Sequence, residues 1–257
     1  MKTRSNISAT IILVVFIYSG LSSCSSSTTP LTQTPTVYND SDIAGGIFKP
    51  NSKPGGKTLA EWSVAWWQWA YSIPATNPPG TIYHPLLEID SAAPHADLGN
   101  QGSSMFFLGG LITKTASYNI IRKVTIPHTY AIFFPVAALL EDPIATGTSR
   151  VDTMQSRLQT FIGYAGERNV KIDGNAVLAP ASTNQYREHS ATFSYNLPAN
   201  NLYQYFGAAA PAGTITPAMA DGWYIMLAPL AVGKHTLYFN SNINGGIQQM
   251  TYEITSD

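Results

Sequence analysis

A mainly β domain, built as a sandwich or jelly-roll-like pair of antiparallel sheets carrying two helices, is the fold that residues 45–257 predict. Short apolar or alternating runs recur between Pro- and Gly-rich breaks, as strands do. Only two segments, about 58–73 and 151–165, carry the helical period. Charged residues are 11% of the chain, against roughly 25% in an average soluble domain. Polarity is therefore left to the hydroxyls and amides of Tyr, Thr and Asn.

The first 44 residues read differently. Lys2 and Arg4 precede an apolar run from Ile11 to Leu21, and small residues follow. A membrane-spanning helix needs about 18 apolar residues, so this shorter run reads as an export signal. Leu21-Ser22-Ser23-Cys24 closes it and resembles the junction of a bacterial lipoprotein signal. That resemblance implies removal of residues 1–23 and acylation of Cys24, with palmitate-type chains, as the new N-terminus. The alternative is an ordinary cleaved signal with an incidental cysteine. Cys24 is the only cysteine, so an intramolecular disulfide is excluded. Each buried methylene adds about 0.8 kcal/mol of membrane affinity, so two or three chains would hold the protein at a bilayer. Ser25 directly after the cysteine, in place of Asp, resembles the pattern of lipoproteins sorted to the outer membrane. Residues 24–44, which include SSSTTPLTQTPT, read as a flexible Ser/Thr/Pro tether.

Within the domain the elements follow in order. After Gly55-Gly56, Thr58 and Glu61 form a T-x-x-E capping box, and Pro74 stops the helix they open. Leu59, Trp62, Trp66, Trp69 and Ile73 make one apolar stripe; Ala60, Val64, Trp67 and Tyr71 make a second. Glu61, Gln68 and Ser72 are left as a narrow polar edge. A helix apolar on nearly all sides is buried on nearly all sides, so the tryptophans are expected in the core rather than on a sugar-stacking platform. Met105–Leu108 and Ala131–Val136 are apolar runs of the central-strand type. The second helix runs from about Val151 to Ala165, with Val151, Met154, Leu158, Phe161, Ile162 and Ala165 on one face and a polar far side that places it on the surface. Thr192–Leu197 alternates. Gly222–Ala228 and His235–Asn240 are joined by a hairpin-type connection over 229–234, and Gln249–Thr255 closes the sheet with Met250, Tyr252 and Ile254 on its apolar side.

Trp62-x3-Trp66-Trp67-Gln68-Trp69 resembles the helix motif of an uncharacterised family of bacterial exported proteins. Further matches are Ile73-Pro74-Ala75, Asn77-Pro78, Asn100-Gln101-Gly102, Phe106 to Gly110, Thr125 to Pro135 and Asp221 to Phe239. The family often carries a cysteine before the G-Q turn and another before the T-I-P strand. Leu98 and Lys123 stand near those positions here, so that clamp is missing. The resemblance implies an exported β-rich domain and supplies no activity.

Net charge is −1 with no basic run, which argues against nucleic acid as a partner. There is no G-x-S-x-G and no phosphate-binding loop, and Asn244-Gly245-Gly246 reads as a turn. No cofactor is expected. His84, Glu88, Asp90, His95 and Asp97 fall in one Pro-rich loop, and imidazoles and carboxylates are ordinary ligands for a divalent metal. Their spacing matches no compact motif, and the competing reading is a solvated loop with capped turns. Glu61, Gln68 and Gln101 are candidate ligand contacts. Glu61, His84, His95 and His235 are the candidates for acid–base chemistry.

Two function classes follow. One is a non-enzymatic cell-envelope lipoprotein that binds an envelope protein or a glycan, or acts as a scaffold. The other is an exported hydrolase or lyase acting on an envelope or extracellular polysaccharide through Glu61 or the loop from His84 to Asp97. A pocket joining Glu61, Gln68 and one of the histidines separates the two.

Overall fold

The structure, a computed structural model, describes residues 38–100, 104–178 and 180–257. The export-signal segment, Cys24, most of the tether and Gln101 lie outside the described residues. The chain folds as a mainly β, sandwich-like protein of two sheets.

The spine of the seven-stranded sheet is β10 (Gly213–Leu227). It runs antiparallel to β5 (Ala131–Glu141) on one side. On its other side it meets β9 (Phe193–Leu197), β8 (Arg187–His189) and β2 (Ile47–Phe48) in succession. β1 (Ile43–Ala44) pairs with β2, and β3 (Met105–Phe107) lies parallel to β5. The five-stranded sheet has the order β4 (Tyr118–Ile126), β12 (Gly246–Ser256), β11 (Gly233–Ile243), β6 (Ala165–Ile172) and β7 (Asn175–Leu178). Its β4–β12 pair is parallel and the others are antiparallel. The β11–β12 turn is a two-residue hairpin, with Asn244 at φ 50° and Gly245 at φ 81° between the paired Ile243 and Gly246. Left-handed backbone at both central residues is what such a turn demands.

Four expectations are corrected. The sheets are not wholly antiparallel. The 229–234 segment carries the chain from one sheet to the other instead of closing a hairpin. β5 and β10 outrun their predicted ends, and β4, β6, β7 and β8 join the expected strands. Ordered structure also begins ahead of residue 45: Tyr38 stacks on Phe48 at 5.1 Å and donates to Ser104 O at 2.8 Å.

β5 explains its own continuous apolar run, because successive side chains serve opposite faces. Phe134 stacks on Phe239 of the other sheet at 4.7 Å. Phe133 instead stacks on Tyr224 at 5.6 Å, and the Tyr224 hydroxyl accepts from Trp67 of α1 (Leu59–Ser72) at 2.8 Å. α1 therefore covers the face of the seven-stranded sheet that the five-stranded sheet does not. Its capping box forms as predicted: Thr58 N–H donates to Glu61 Oε2 at 2.8 Å, and Glu61 N–H to Thr58 Oγ1 at 3.2 Å. Trp62, Trp66, Trp67 and Trp69 are all buried, and every indole N–H has a partner, in turn Pro54 O, Leu108 O, Tyr224 OH and Leu98 O. Gly109 is required beside them, since a Cβ there would meet Trp66 at 2.8 Å and Leu86 at 2.9 Å.

The second predicted helix, with two one-turn helices that patterning did not reveal, completes the set. α2 (Pro143–Thr146) is capped by Asp142, and α4 (Leu202–Tyr205) by Asn201. α3 (Val151–Tyr164) packs Met154 and Leu158 against Met219 and leaves its polar side to solvent. Among the described residues, no helix is long and apolar enough to cross a membrane.

Candidate functional site

The loop from His84 to Asp97 is pinned from two sides. His84 is fully buried: Nε2–H donates to Ala70 O on α1 at 2.7 Å, and Nδ1 accepts from Leu86 N–H at 3.0 Å. A carbonyl can only accept and an amide N–H only donate, so these partners fix a neutral ring with its proton on Nε2. Burial pushes its pKa down to about 4; the Ala70 carbonyl opposes the shift and the nearby Arg122 cation adds to it. Arg122 reaches in from β4, also fully buried. Its Nε and Nη2 donate to Glu88 O at 3.0 and 2.8 Å, and Nη1 donates to Gly109 O at 3.2 Å and Tyr252 OH at 2.9 Å. This is an arginine used as a staple for carbonyls.

The five loop candidates do not converge. The buried Glu88 carboxylate takes both His95 Nδ1, at 2.6 Å, and His95 N–H, at 3.2 Å. Asp90 Oδ1 accepts from Ala92 N–H at 3.0 Å and closes a turn. Asp97 faces a groove that His84 does not reach. Among the described residues, no three His, Cys, Asp or Glu side chains come together to hold a metal ion. The expected donor set of His84, Glu88, Asp90, His95 and Asp97 thus does not come together: only Glu88 and His95 pair, His84 and Asp90 are held by backbone groups, and Asp97 lines the groove.

Glu61 and Gln68 also part company. Glu61 is exposed and spent on the capping box, whose Thr58 N–H and hydroxyl hold its carboxyl below the ordinary value. Gln68 Nε2 donates to Ser194 O of β9 at 2.9 Å and lines a hollow of about 480 Å³ with Trp69, Ser72 and Tyr195. Neither Glu61 nor a histidine lines that hollow.

A larger groove, about 670 Å³, opens along β4, β12 and β11 beneath the 92–97 loop. Its floor is built in register. Lys123, Glu253 and Thr236 form one row across the three strands, and Thr125, Thr255 and Lys234 the next. Lys123 Nζ lies 4.0 Å from Glu253 Oε2, an exposed pair worth little. At the groove's end His235 Nδ1 donates to Asp173 Oδ2 at 2.8 Å and Nε2 to Ala231 O at 2.9 Å. Both partners only accept, so the doubly protonated ring fits. The Asp173 hydrogen bond raises the His235 pKa against partial burial.

One buried constellation went unforeseen in the sequence. Asp142 is fully buried, and its Oδ2 accepts from the hydroxyls of Tyr195 and, at 2.5 Å, Tyr203. Its Oδ1 accepts from Ile144 and Ala145 N–H at 2.8 and 2.9 Å. Burial, then neighbouring hydroxyls and carboxylate, push both phenols above their ordinary pKa, so they remain donors. The visible signal was Asp142-Pro143, an N-cap followed by proline at the first helical position.

No family model and no curated protein matches this chain. Among solved structures, a cysteine protease inhibitor, EhICP2, from Entamoeba histolytica is similar at a TM-score of 0.22 and 12% identity. The match covers 60% of this chain and 96% of that one. A likeness of that size supports no conclusion about activity.

Proposed function

We propose that this chain is a lipid-anchored cell-envelope protein, of the exported family its motifs resemble, whose β-sandwich binds a partner without transforming it. One observation carries the binding half of this reading. The outer face of the five-stranded sheet is open, and its floor presents hydroxyls and paired charges in strand register beside a 670 Å³ groove. Side chains with candidate chemistry support it too, since His84, Glu88, Glu61 and Arg122 are each engaged by partners that build the fold. The anchor half rests on Leu21-Ser22-Ser23-Cys24 behind a short apolar run.

Two measurements test it. Cys24→Ala should release the protein from membranes or leave its precursor uncleaved; an unmodified thiol by intact mass in the native protein would overturn the anchor. Incubation with peptidoglycan, envelope extracts and polysaccharides should show retention without product. Turnover that disappears in Glu61→Gln would instead establish an enzyme.

A further inference from the structure

The five-stranded sheet continues past the groove floor into a second polar surface that faces solvent. Along β11, the row above Thr236 contains Ile121, Thr251, Tyr238 and Lys171, one from each of four strands. The next row contains Asn119, Gln249, Asn240 and Asn169, four amides side by side. Ile121 is 45% exposed, an apolar spot two strands from the half-buried Tyr238 ring with Thr251 between them.

These side chains are ordered by one another. Asn169 Nδ2 donates to Asn240 Oδ1 at 3.0 Å, and the Tyr238 hydroxyl donates to Gln249 Oε1 at 3.3 Å. Both bonds spend the carbonyl ends of Asn240 and Gln249. The Asn240 NH₂ also bonds the Tyr238 hydroxyl, and since an NH₂ has two hydrogens, one donor of Asn240 and the NH₂ of Gln249 are turned to the surface. The Lys171 ammonium lies 5.9 Å from the centre of the Tyr238 ring, a loose contact that a ligand would displace.

We propose that this face binds a chain of neutral hexoses laid along β11, with one sugar packed on Tyr238 and its neighbours hydrogen-bonded by Asn240 and Gln249. The inference rests on the binding reading above and names its ligand class. A sugar ring has an apolar C–H face that suits an aromatic ring and equatorial hydroxyls that suit amides and threonines. Charge selects the neutral polymer. The two rows hold a single charge, Lys171, while in the groove Lys123 is paired with Glu253 and Asp97 offsets Lys234, so the field that could attract an anionic one is weak. Length agrees as well: from Lys234 to Asn240 the strand spans about 20 Å, room for several sugars. The occupant is committed to a polysaccharide; an envelope protein on this face is an outcome of the test.

The experiment is affinity electrophoresis of the full chain in gels containing starch, galactomannan, hydroxyethyl cellulose or alginate. At least one neutral polymer should retard the protein. Tyr238→Ala should weaken that retardation tenfold or more and Gln249→Ala severalfold, while Tyr238→Phe keeps most of it. Circular dichroism melting shows that the variants fold, since both positions lie on an open face. Retardation that survives both Tyr238→Ala and Gln249→Ala overturns this site and leaves the binding function standing. Retardation by alginate alone overturns the neutral-sugar assignment in the same way. If no polymer retards the protein but this face captures an envelope protein that Tyr238→Ala releases, the ligand class is wrong and the surface is right. Loss of every interaction, protein and glycan alike, removes the broader reading too.

Discussion

The imidazole of His84 spans the gap between the 84–97 loop and the last turn of α1, its Nε2 2.7 Å from the carbonyl oxygen of Ala70. Burial and the Leu86 N–H that donates to Nδ1 both require a neutral ring, and that ties the packing of the tryptophan helix to pH.

The sign of that link is fixed. The folded-state pKa of His84, about 4, lies below the ordinary 6.5. The unfolded chain therefore binds more protons between those values, and stability falls as pH drops from 6.5 towards 4. The shift is worth roughly 3 kcal/mol over that window. His84→Gln, which cannot titrate, should be less stable at pH 7 yet flatter from pH 6.5 to 4. Urea midpoints at four pH values check this; parallel profiles for the two proteins would count against it.

His235 runs the other way. Its pKa is raised by Asp173, so the pair stabilises the fold below pH 6.5 and weakens as pH rises through the folded value. A proton NMR titration should place the His235 midpoint above that of a model histidine, and Asp173→Asn should return it. The effect on the melting midpoint is expected to be small, because Asp173 is nearly half exposed.

Trp66→Ala should cost about 3–5 kcal/mol, the usual range for emptying a large aromatic from a core. It also strands the Leu108 carbonyl that the indole N–H now satisfies at 2.7 Å. The urea midpoint should fall with an unchanged m-value. A midpoint like that of the parent would mean the ring is not packed as described.

Arg122→Met should loosen the loop more than it unfolds the sheets. It leaves the carbonyls of Glu88 and Gly109 and the hydroxyl of Tyr252 without their guanidinium donor, at about 1–3 kcal/mol for each group that finds no water. Limited proteolysis should then cut between residues 84 and 100 sooner than in the parent. Arg122→Lys should recover only part, since one ammonium cannot span acceptors arranged for a planar fork.

Elements whose own pattern decides them were legible in the sequence. α1 announces itself by its capping box and twin stripes, β12 by its alternation, and β5 by a run that only a strand covered on both faces can carry. β4 and β6 stayed hidden because each sends an arginine inward, Arg122 and Arg168, where the period-two rule expects an apolar side chain. Arg122 is made tolerable by carbonyls of Glu88 and Gly109, which no local window contains; Arg168 bonds Ala165 O and Gly166 O close by, and the side chains of Thr183 and Asn184 from beyond its strand. The same holds for the site. His84 and Glu88 look like ligands in one dimension, and only the fold shows Ala70 and His95 already occupying them. The rows across β4, β12, β11 and β6 were equally invisible, since register between strands is a tertiary fact.

β12 lies between β4 and β11, parallel to one and antiparallel to the other. Until residues 246–256 are in place, nothing joins β4 to β11, and β4 has no strand neighbour. A chain in which that segment has not yet docked cannot complete this half of the sandwich. Removing residues 246–256 would leave β4 without a strand partner and one edge of β11 bare, in place of a shorter but intact sheet.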